Sequence, residues 1–193
     1  GERAHDDRLR LVGKGSLGTM HTYWVRLNAV FFYGLNVLLG LAVMTWLSCL
    51  QQDLGLGSHP QPSVQKMEMT ELLSLRSHGG VDRALLSFDV AADLQPAFHW
   101  NLKQLFVFVL AEYTSKTNPL NQVILWDKIV ESEDDAKVAA SNAYIKYALV
   151  DQANELRNTT VDLYLVWDHM PLTGRLYMDR GFGSNFALPA SYR

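Results

Sequence analysis

The sequence predicts a single N-terminal transmembrane helix followed by an all-β domain folded as a β-sandwich. Two observations carry this fold class. Residues Ala29 to Leu50 read AVFFYGLNVLLGLAVMTWLSCL, without one charged side chain. From Lys66 onward, apolar residues recur with period two in short segments set apart by turn residues.

Crossing the hydrocarbon core of a bilayer takes roughly 20 apolar residues at 1.5 Å rise each. A helix satisfies its own backbone there, as lipid requires. The run starts just after Arg26 and is followed by Gln51, Gln52 and Asp53. Tyr23, Trp24 and Trp46 suit the aromatic belts of the two membrane interfaces. Arg3, Arg8, Arg10, Lys14 and Arg26 precede the run, and the next basic residue is Lys66. Basic flanks stay cytosolic, so a short cytosolic N-terminus and an exported C-terminal part are expected, the single-pass type II arrangement. Two other readings stand beside this one. A cleaved signal peptide has an apolar core of roughly 7–15 residues, shorter than this run, although Ser48, Gly55 and Gly57 offer small residues for cleavage. A buried helix of a soluble domain normally has a polar face, which this run lacks. Asn36 lies mid-run and either bonds a partner helix or bonds locally.

The chain has 193 residues and a formal net charge of −3. Beyond the tail and span, roughly 140 residues remain, enough for one domain with its own core. The mild negative charge gives no basic field for nucleic acid. Cys49 is the one cysteine, so the exported part contains no disulfide and rests on hydrophobic packing. Cys49 is either a palmitoylation site or an inert membrane cysteine.

Residues 1–19 are polar and without hydrophobic period, and are read as a disordered cytosolic tail or an upstream extension, with Met20 a natural start. Residues 20–28 form the juxtamembrane segment, 29–50 the span, 51–65 a Gly/Pro/Gln linker and 66–193 the β-sandwich. Within Ala84–Leu94, Leu86, Phe88, Val90, Ala92 and Leu94 alternate with Leu85, Ser87, Asp89, Ala91 and Asp93, a half-buried strand. Leu105–Tyr113 is apolar on both faces and rich in Phe and Val, as a central strand is. Gln122–Val130 is a further strand. In Thr159–Trp167 one face carries Thr159, Val161, Leu163, Leu165 and Trp167. Lys66–Leu75, Tyr144–Val150, Leu176–Met178 and Phe186–Leu188 complete the predicted strands, and Ala136–Tyr144 reads as a short helix. Turns fall at Ser77–Gly80, Thr117–Pro119, Glu131–Asp135, Asn154–Asn158 and Pro171–Gly174.

Asn158-Thr159-Thr160 is the only Asn-x-Ser/Thr match, in a polar turn before a strand, so Asn158 is the candidate glycosylation site and its surroundings are expected to face water. Chemistry beyond this is poorly supported, and no catalytic, cofactor or metal residues are assigned. His59, His78, His99 and His169 lack zinc-ligand spacing. Neither a Gly-x-Ser-x-Gly elbow nor a P-loop occurs. Ser87, Ser115 and Ser184 have no activating neighbour in sequence and are read as surface serines. Glu131, Glu133, Asp134 and Asp135 cluster without the spacing of a calcium loop, so a solvated turn is expected. Trp100, Trp126 and Trp167 are expected in the core, and an exposed one would favour binding.

The block Phe98-His99-Trp100-Asn101-Leu102-Lys103-Gln104-Leu105-Phe106, then Ala111-Glu112-Tyr113, then Asn121 through Val130 resembles subunit 3 of the eukaryotic signal peptidase complex, an accessory glycoprotein subunit. The likeness runs from about Met20 to Tyr192. It includes Phe88-Asp89, Asp93-Leu94, and the spacing of Trp167, Pro171, Gly174, Leu176, Gly181, Gly183, Pro189 and Tyr192. Asn158 falls on the family's glycosylation position. The resemblance implies an endoplasmic-reticulum membrane protein with a cytosolic N-terminus and a lumenal β-sandwich. Its implied partners are the catalytic subunit and other subunits of the complex, besides the lipid bilayer. The serine-protease chemistry belongs to the catalytic subunit, so no catalytic residues transfer to this chain. Residues 1–19 and Glu131–Asn142 depart from the family, and Asp168-His169-Met170 replaces more apolar residues. Two rival readings remain on the residues alone: an independent lumenal receptor for glycans or peptides, and a serine hydrolase assembled across the fold.

Overall fold

The computed structural model describes residues 22–53 and 61–193, which form two units. The expectations for residues 1–19 and for most of the 51–65 linker fall outside the described residues.

The first unit is a helix, α1, spanning Tyr23–Asp53. It is apolar all round and exposed along its described length, with a stretch from Tyr23 to Cys49 long and apolar enough to cross a membrane. It is longer than predicted at both ends. The Thr22 carbonyl accepts the Val25 N–H at 3.0 Å and starts the helix. In its second half, the Thr45 hydroxyl donates to the Leu41 carbonyl at 2.9 Å, which satisfies this polar group within the helix itself.

The second unit is a sandwich of two antiparallel sheets. Its strands are β1 (Ser63–His78), β2 (Val81–Asp93), β3 (Leu102–Tyr113), β4 (Asn121–Val130), β5 (Lys137–Tyr144), β6 (Leu149–Asp151), β7 (Thr160–Pro171) and β8 (Tyr177–Ala187). One sheet runs β1-β2-β5, with β6 also on β2, and the other runs β4-β3-β7-β8. The predicted alternation holds where it was strongest. Leu86, Phe88 and Val90 of β2 face Leu105, Val107 and Val109 of β3 and Val161, Leu163 and Leu165 of β7 in one dry core. Burying such side chains contributes roughly 1.5–3 kcal/mol each, which is how the domain holds without a disulfide.

The register gives the sandwich two distinct ends. Ser63 pairs with Asp93, Asp93 with Lys137, Leu102 with Pro171 and His169 with Tyr177 at one of them, called here the Ser63 end. At the other, His78 pairs with Val81, Asp82 with Asp151, Tyr113 with Asn121 and Thr160 with Ala187.

Four expectations are corrected. Residues Ala136–Tyr144 are not helical, because Lys137–Tyr144 pairs along β2, and tertiary pairing overrides the propensity of Ala and Ser. Asn142 adopts φ 50° at the register shift opposite Phe88 and Val90, a conformation Asn tolerates. The predicted strand Tyr144–Val150 divides, since Lys146 and Tyr147 turn their N–H groups to the Leu125 carbonyl at 2.8 and 3.0 Å. The predicted strands Leu176–Met178 and Phe186–Leu188 mark the two ends of one strand, β8, which runs Tyr177–Ala187. Its middle was obscured by Gly181 and Gly183, where an added Cβ would run into Val64 and Met67 of β1. These glycines let β1 and β8 approach and close one side of the sandwich. Finally, the linker is shorter than predicted, since 51–53 continue α1 and β1 begins at Ser63.

Candidate functional site

The sequon sits in the connection from β6 to β7, at the end opposite Ser63. Two buried aspartates from neighbouring strands pin that connection. Asp151 accepts the Glu155 N–H at 2.8 Å and the Tyr113 hydroxyl at 3.0 Å. Asp82, its cross-strand partner, accepts the Leu156 N–H at 3.2 Å and the Tyr192 hydroxyl at 2.9 Å. Burial, reinforced by the Asp151 carboxylate, pushes the Tyr113 phenol well above its usual range, so it remains a donor. Leu156 is thereby drawn into the core, and the chain reverses through Asn154 and Asn158, both at φ 58°. Asn is among the residues that adopt this left-handed conformation most readily. The Asn158 N–H reaches the Pro189 carbonyl at 3.2 Å, and the Thr159 hydroxyl donates to the Glu155 carbonyl at 2.7 Å. Asn158 and Thr160 are left exposed beside a groove of about 460 Å³ lined also by Thr114, Pro119, Leu120 and Asp162. The predicted acceptor therefore stands on a rigid, solvent-facing turn.

A second feature escaped the sequence reading. The outward face of the β4-β3-β7-β8 sheet is rich in apolar side chains, with Asp127, Asp168 and Arg180 set among them, although an outward sheet face is normally polar. Phe106, Phe108 and Leu110 of β3 lie beside Ile129 and Ile124 of β4, Val166 and Tyr164 of β7, and Met178 and Phe182 of β8. Phe106 and Phe108 have ring centroids 5.4 Å apart, and Tyr164 meets Phe182 edge-on at 5.4 Å. Ile129, Phe182 and Met178 are 51%, 55% and 64% exposed. Arg180 lies within this face over the Tyr164 ring and reaches Glu112 at 3.5 Å, and Glu112 accepts from Gln122 at 3.2 Å. The sign was present in Leu105–Tyr113, whose apolar second face faces outward. Exposed apolar side chains clustered on one sheet face, interrupted by a few charges, are a candidate interaction surface.

The remaining candidates scatter. Ser87 is fully buried in β2, not a surface serine. Ser115 is tied into its own turn, its hydroxyl accepting the Asn118 N–H at 3.0 Å, and Ser184 lies on β8. Residue His59 is outside the described residues, and His78 is exposed at the end of β1. His169, on β7, is buried, stacks on Tyr177 with centroids 4.1 Å apart, and places Nε2 3.3 Å from the Asp179 carboxylate. Burial holds its pKa below the ordinary histidine value, against the opposing pull of Asp179. The acidic residues Glu131, Glu133, Asp134 and Asp135 form an exposed turn, and no group of three or more metal-ligating side chains occurs among the described residues. Trp167 is buried and Trp126 packs edge-on against Phe88 at 6.0 Å, as expected. Trp100 is not core: it is 52% exposed on the loop before β3.

A helix long and apolar enough to span a bilayer, followed by a disulfide-free two-sheet sandwich, has the architecture of a single-span membrane protein with one folded β domain. Comparison with known proteins makes this class specific. A family model described as signal peptidase subunit matches residues 20–191. Human signal peptidase complex subunit 3 is 34% identical over 166 residues, covering 85% of this chain and 91% of the relative. The protein of that name in Drosophila melanogaster is 35% identical over 179 residues, 90% of this chain and 97% of the relative. The Dictyostelium discoideum relative of that name is 29% identical over 173 residues, with 90% and 97% covered. The chain belongs to the signal peptidase subunit family.

Proposed function

We propose that this chain is a non-catalytic accessory subunit of the signal peptidase complex in the endoplasmic-reticulum membrane, supporting cleavage of signal peptides from nascent secretory and membrane proteins. The observation that carries this reading is the family match over residues 20–191, which takes in both the apolar helix and the whole sandwich. The basic residues up to Arg26 in the first turn of α1, and their absence from there to Lys66, favour a cytosolic N-terminus and a lumenal sandwich. A glycan on Asn158 fits that orientation, since the acceptor turn is exposed.

The apolar side chains clustered on the outer sheet face support packing of the sandwich on the catalytic subunit or a neighbouring subunit. Such a scaffold would hold the protease at a fixed height over its cleavage site. Fixed orientation alone is worth several kcal/mol of barrier, with no reacting group donated. The placement of Ser87 in the core, Ser115 in its own turn and His169 against Asp179 supports a subunit without catalytic residues of its own.

Affinity purification from microsomes solubilised in mild detergent, followed by mass spectrometry, tests the assignment. Stoichiometric recovery of the catalytic subunit is expected, and its clear absence with this chain intact defeats the reading. Purified complex lacking this subunit is expected to cleave preproteins slowly. Full-rate cleavage would remove the scaffold role.

A further inference from the structure

We infer that the loops carrying Trp100, Leu172 and Leu176 form a lipid-contacting tip that seats in the headgroup layer of the bilayer to which the chain is anchored. This rests on the reading of α1 as a membrane span.

Both loops lie at the Ser63 end of the sandwich, where Leu102 pairs with Pro171. Their exposed residues are large and apolar: Trp100 is 52%, Leu172 65% and Leu176 60% exposed. They are not slack. Asn101, almost wholly buried, clasps one loop to the other. Its carbonyl accepts the Leu172 N–H at 2.7 Å, its amide donates to the Thr173 carbonyl at 2.9 Å, and its side-chain oxygen accepts the Thr173 N–H at 3.2 Å. The clasp therefore holds the Trp100 loop to the start of the Leu172–Leu176 loop, and three exposed apolar side chains lie on these two joined loops, where they gain nothing from the core. A soluble surface has little reason to maintain this, and such patches mark contacts.

Three further observations favour lipid as the occupant. First, the chain enters the sandwich at Ser63, at this same end, and only residues 54–62 separate Ser63 from Asp53 of α1. A stretch of that length reaches at most about 35 Å when fully extended. That tether keeps the tip at high effective concentration near the membrane surface. Second, tryptophan is the residue best suited to the headgroup layer, and leucines beside it enter the acyl boundary. Third, Asn158, the proposed glycan acceptor, stands at the opposite end, so a glycan there would point away from the bilayer. Charge contributes little. Lys103 and Arg175 flank the tip, but the acidic turn Glu131–Asp135 reaches the same end beyond β4. The contact is therefore with neutral phospholipid and should be insensitive to salt.

The test uses the full chain in a Cys49→Ala background, reconstituted alone in phosphatidylcholine vesicles. An environment-sensitive fluorophore is attached through Trp100→Cys, Leu172→Cys or, as a control at the opposite end, Lys116→Cys. Phosphatidylcholine carrying a nitroxide near the headgroup is expected to quench the first two several-fold more than the control, equally at low and high salt. Equal quenching at all three positions overturns the inference, as does quenching that salt abolishes. In microsomes, a benzophenone on Leu176→Cys is expected to yield lipid adducts. Adducts to protein alone overturn the lipid tip and assign this end to a subunit interface. The vesicle experiment contains no other subunit, so failure of the accessory-subunit reading, seen as loss of co-purification, leaves its result standing.

Discussion

The Tyr192 hydroxyl donates to the fully buried carboxylate of Asp82 at 2.9 Å, across 110 residues of sequence. Close by, the Arg193 N–H and carbonyl pair with Leu75 of β1 at 2.8 and 2.9 Å. Arg157 covers the Tyr192 ring at 4.7 Å. The segment after β8 therefore straps the far end of β1 and the sequon turn into one unit. Tyr192→Phe leaves Asp82 with one fewer donor in a dry site. Such a loss costs about 1–3 kcal/mol. A lowered unfolding midpoint in detergent is expected, together with faster proteolysis within the 152–159 turn. An unchanged midpoint would show that Asp82 is satisfied without Tyr192.

Gly181 and Gly183 differ in what a methyl group would strike. At Gly181 it meets the side chain of Val64, whereas at Gly183 it meets Met67 near its backbone, with the Met67 carbonyl oxygen 3.0 Å away. A side chain can be trimmed and a backbone cannot. Overpacking of this kind costs about 1–3 kcal/mol. Gly183→Ala should destabilise more than Gly181→Ala, and adding Val64→Ala should rescue only the latter. Thermal unfolding of the parent, the two single and the two double variants decides it, and if neither glycine change lowers stability, β1 and β8 are not held together at these positions.

These glycines also mark the limit of the sequence. Strands β2, β3 and β7 were legible because their cores are strict alternations of branched and aromatic residues. In contrast, β5 reads KVAASNAY and β8 reads YMDRGFGSNFA, with little periodic signal. They are strands because β2 and β7 offer them free edges, a fact of the assembled fold. The Asn158 turn was legible as a motif, but its rigidity was not, since Asp82 and Asp151 are distant in sequence from what they hold. Trp100 resembled a core residue beside a strand. It lies instead on a loop that Asn101 clasps to another 72 residues further along the chain, which no local pattern reveals.

Modification at Asn158 is a test of both turn and topology. In microsomes the chain should carry a single glycan removable by endoglycosidase H. Asn158→Gln and Thr160→Ala should each abolish it, while Thr159→Val, which leaves the sequon intact, should not. The Thr159 hydroxyl bond to Glu155 would be lost in that last variant, at a cost of about 1 kcal/mol. Absence of a glycan on the wild-type chain would argue that the sandwich is cytosolic, reversing the proposed orientation.

His169 gives the fold a predictable response to acid. Burial lowers its pKa in the folded state, although Asp179 at 3.3 Å acts in the opposite direction. A base whose folded pKa lies below its unfolded value, about 6.5, contributes fully to stability above that value. As pH falls below it, the unfolded chain binds the proton more readily, and stability declines. Stability should therefore fall between neutral pH and pH 5, and His169→Phe, which keeps a ring against Tyr177, should flatten that slope. The comparison is thermal unfolding of both proteins at matched ionic strength across this range. A slope unchanged by His169→Phe would assign the acid sensitivity elsewhere. A steeper one would mean that the Asp179 carboxylate outweighs burial and His169 is held protonated.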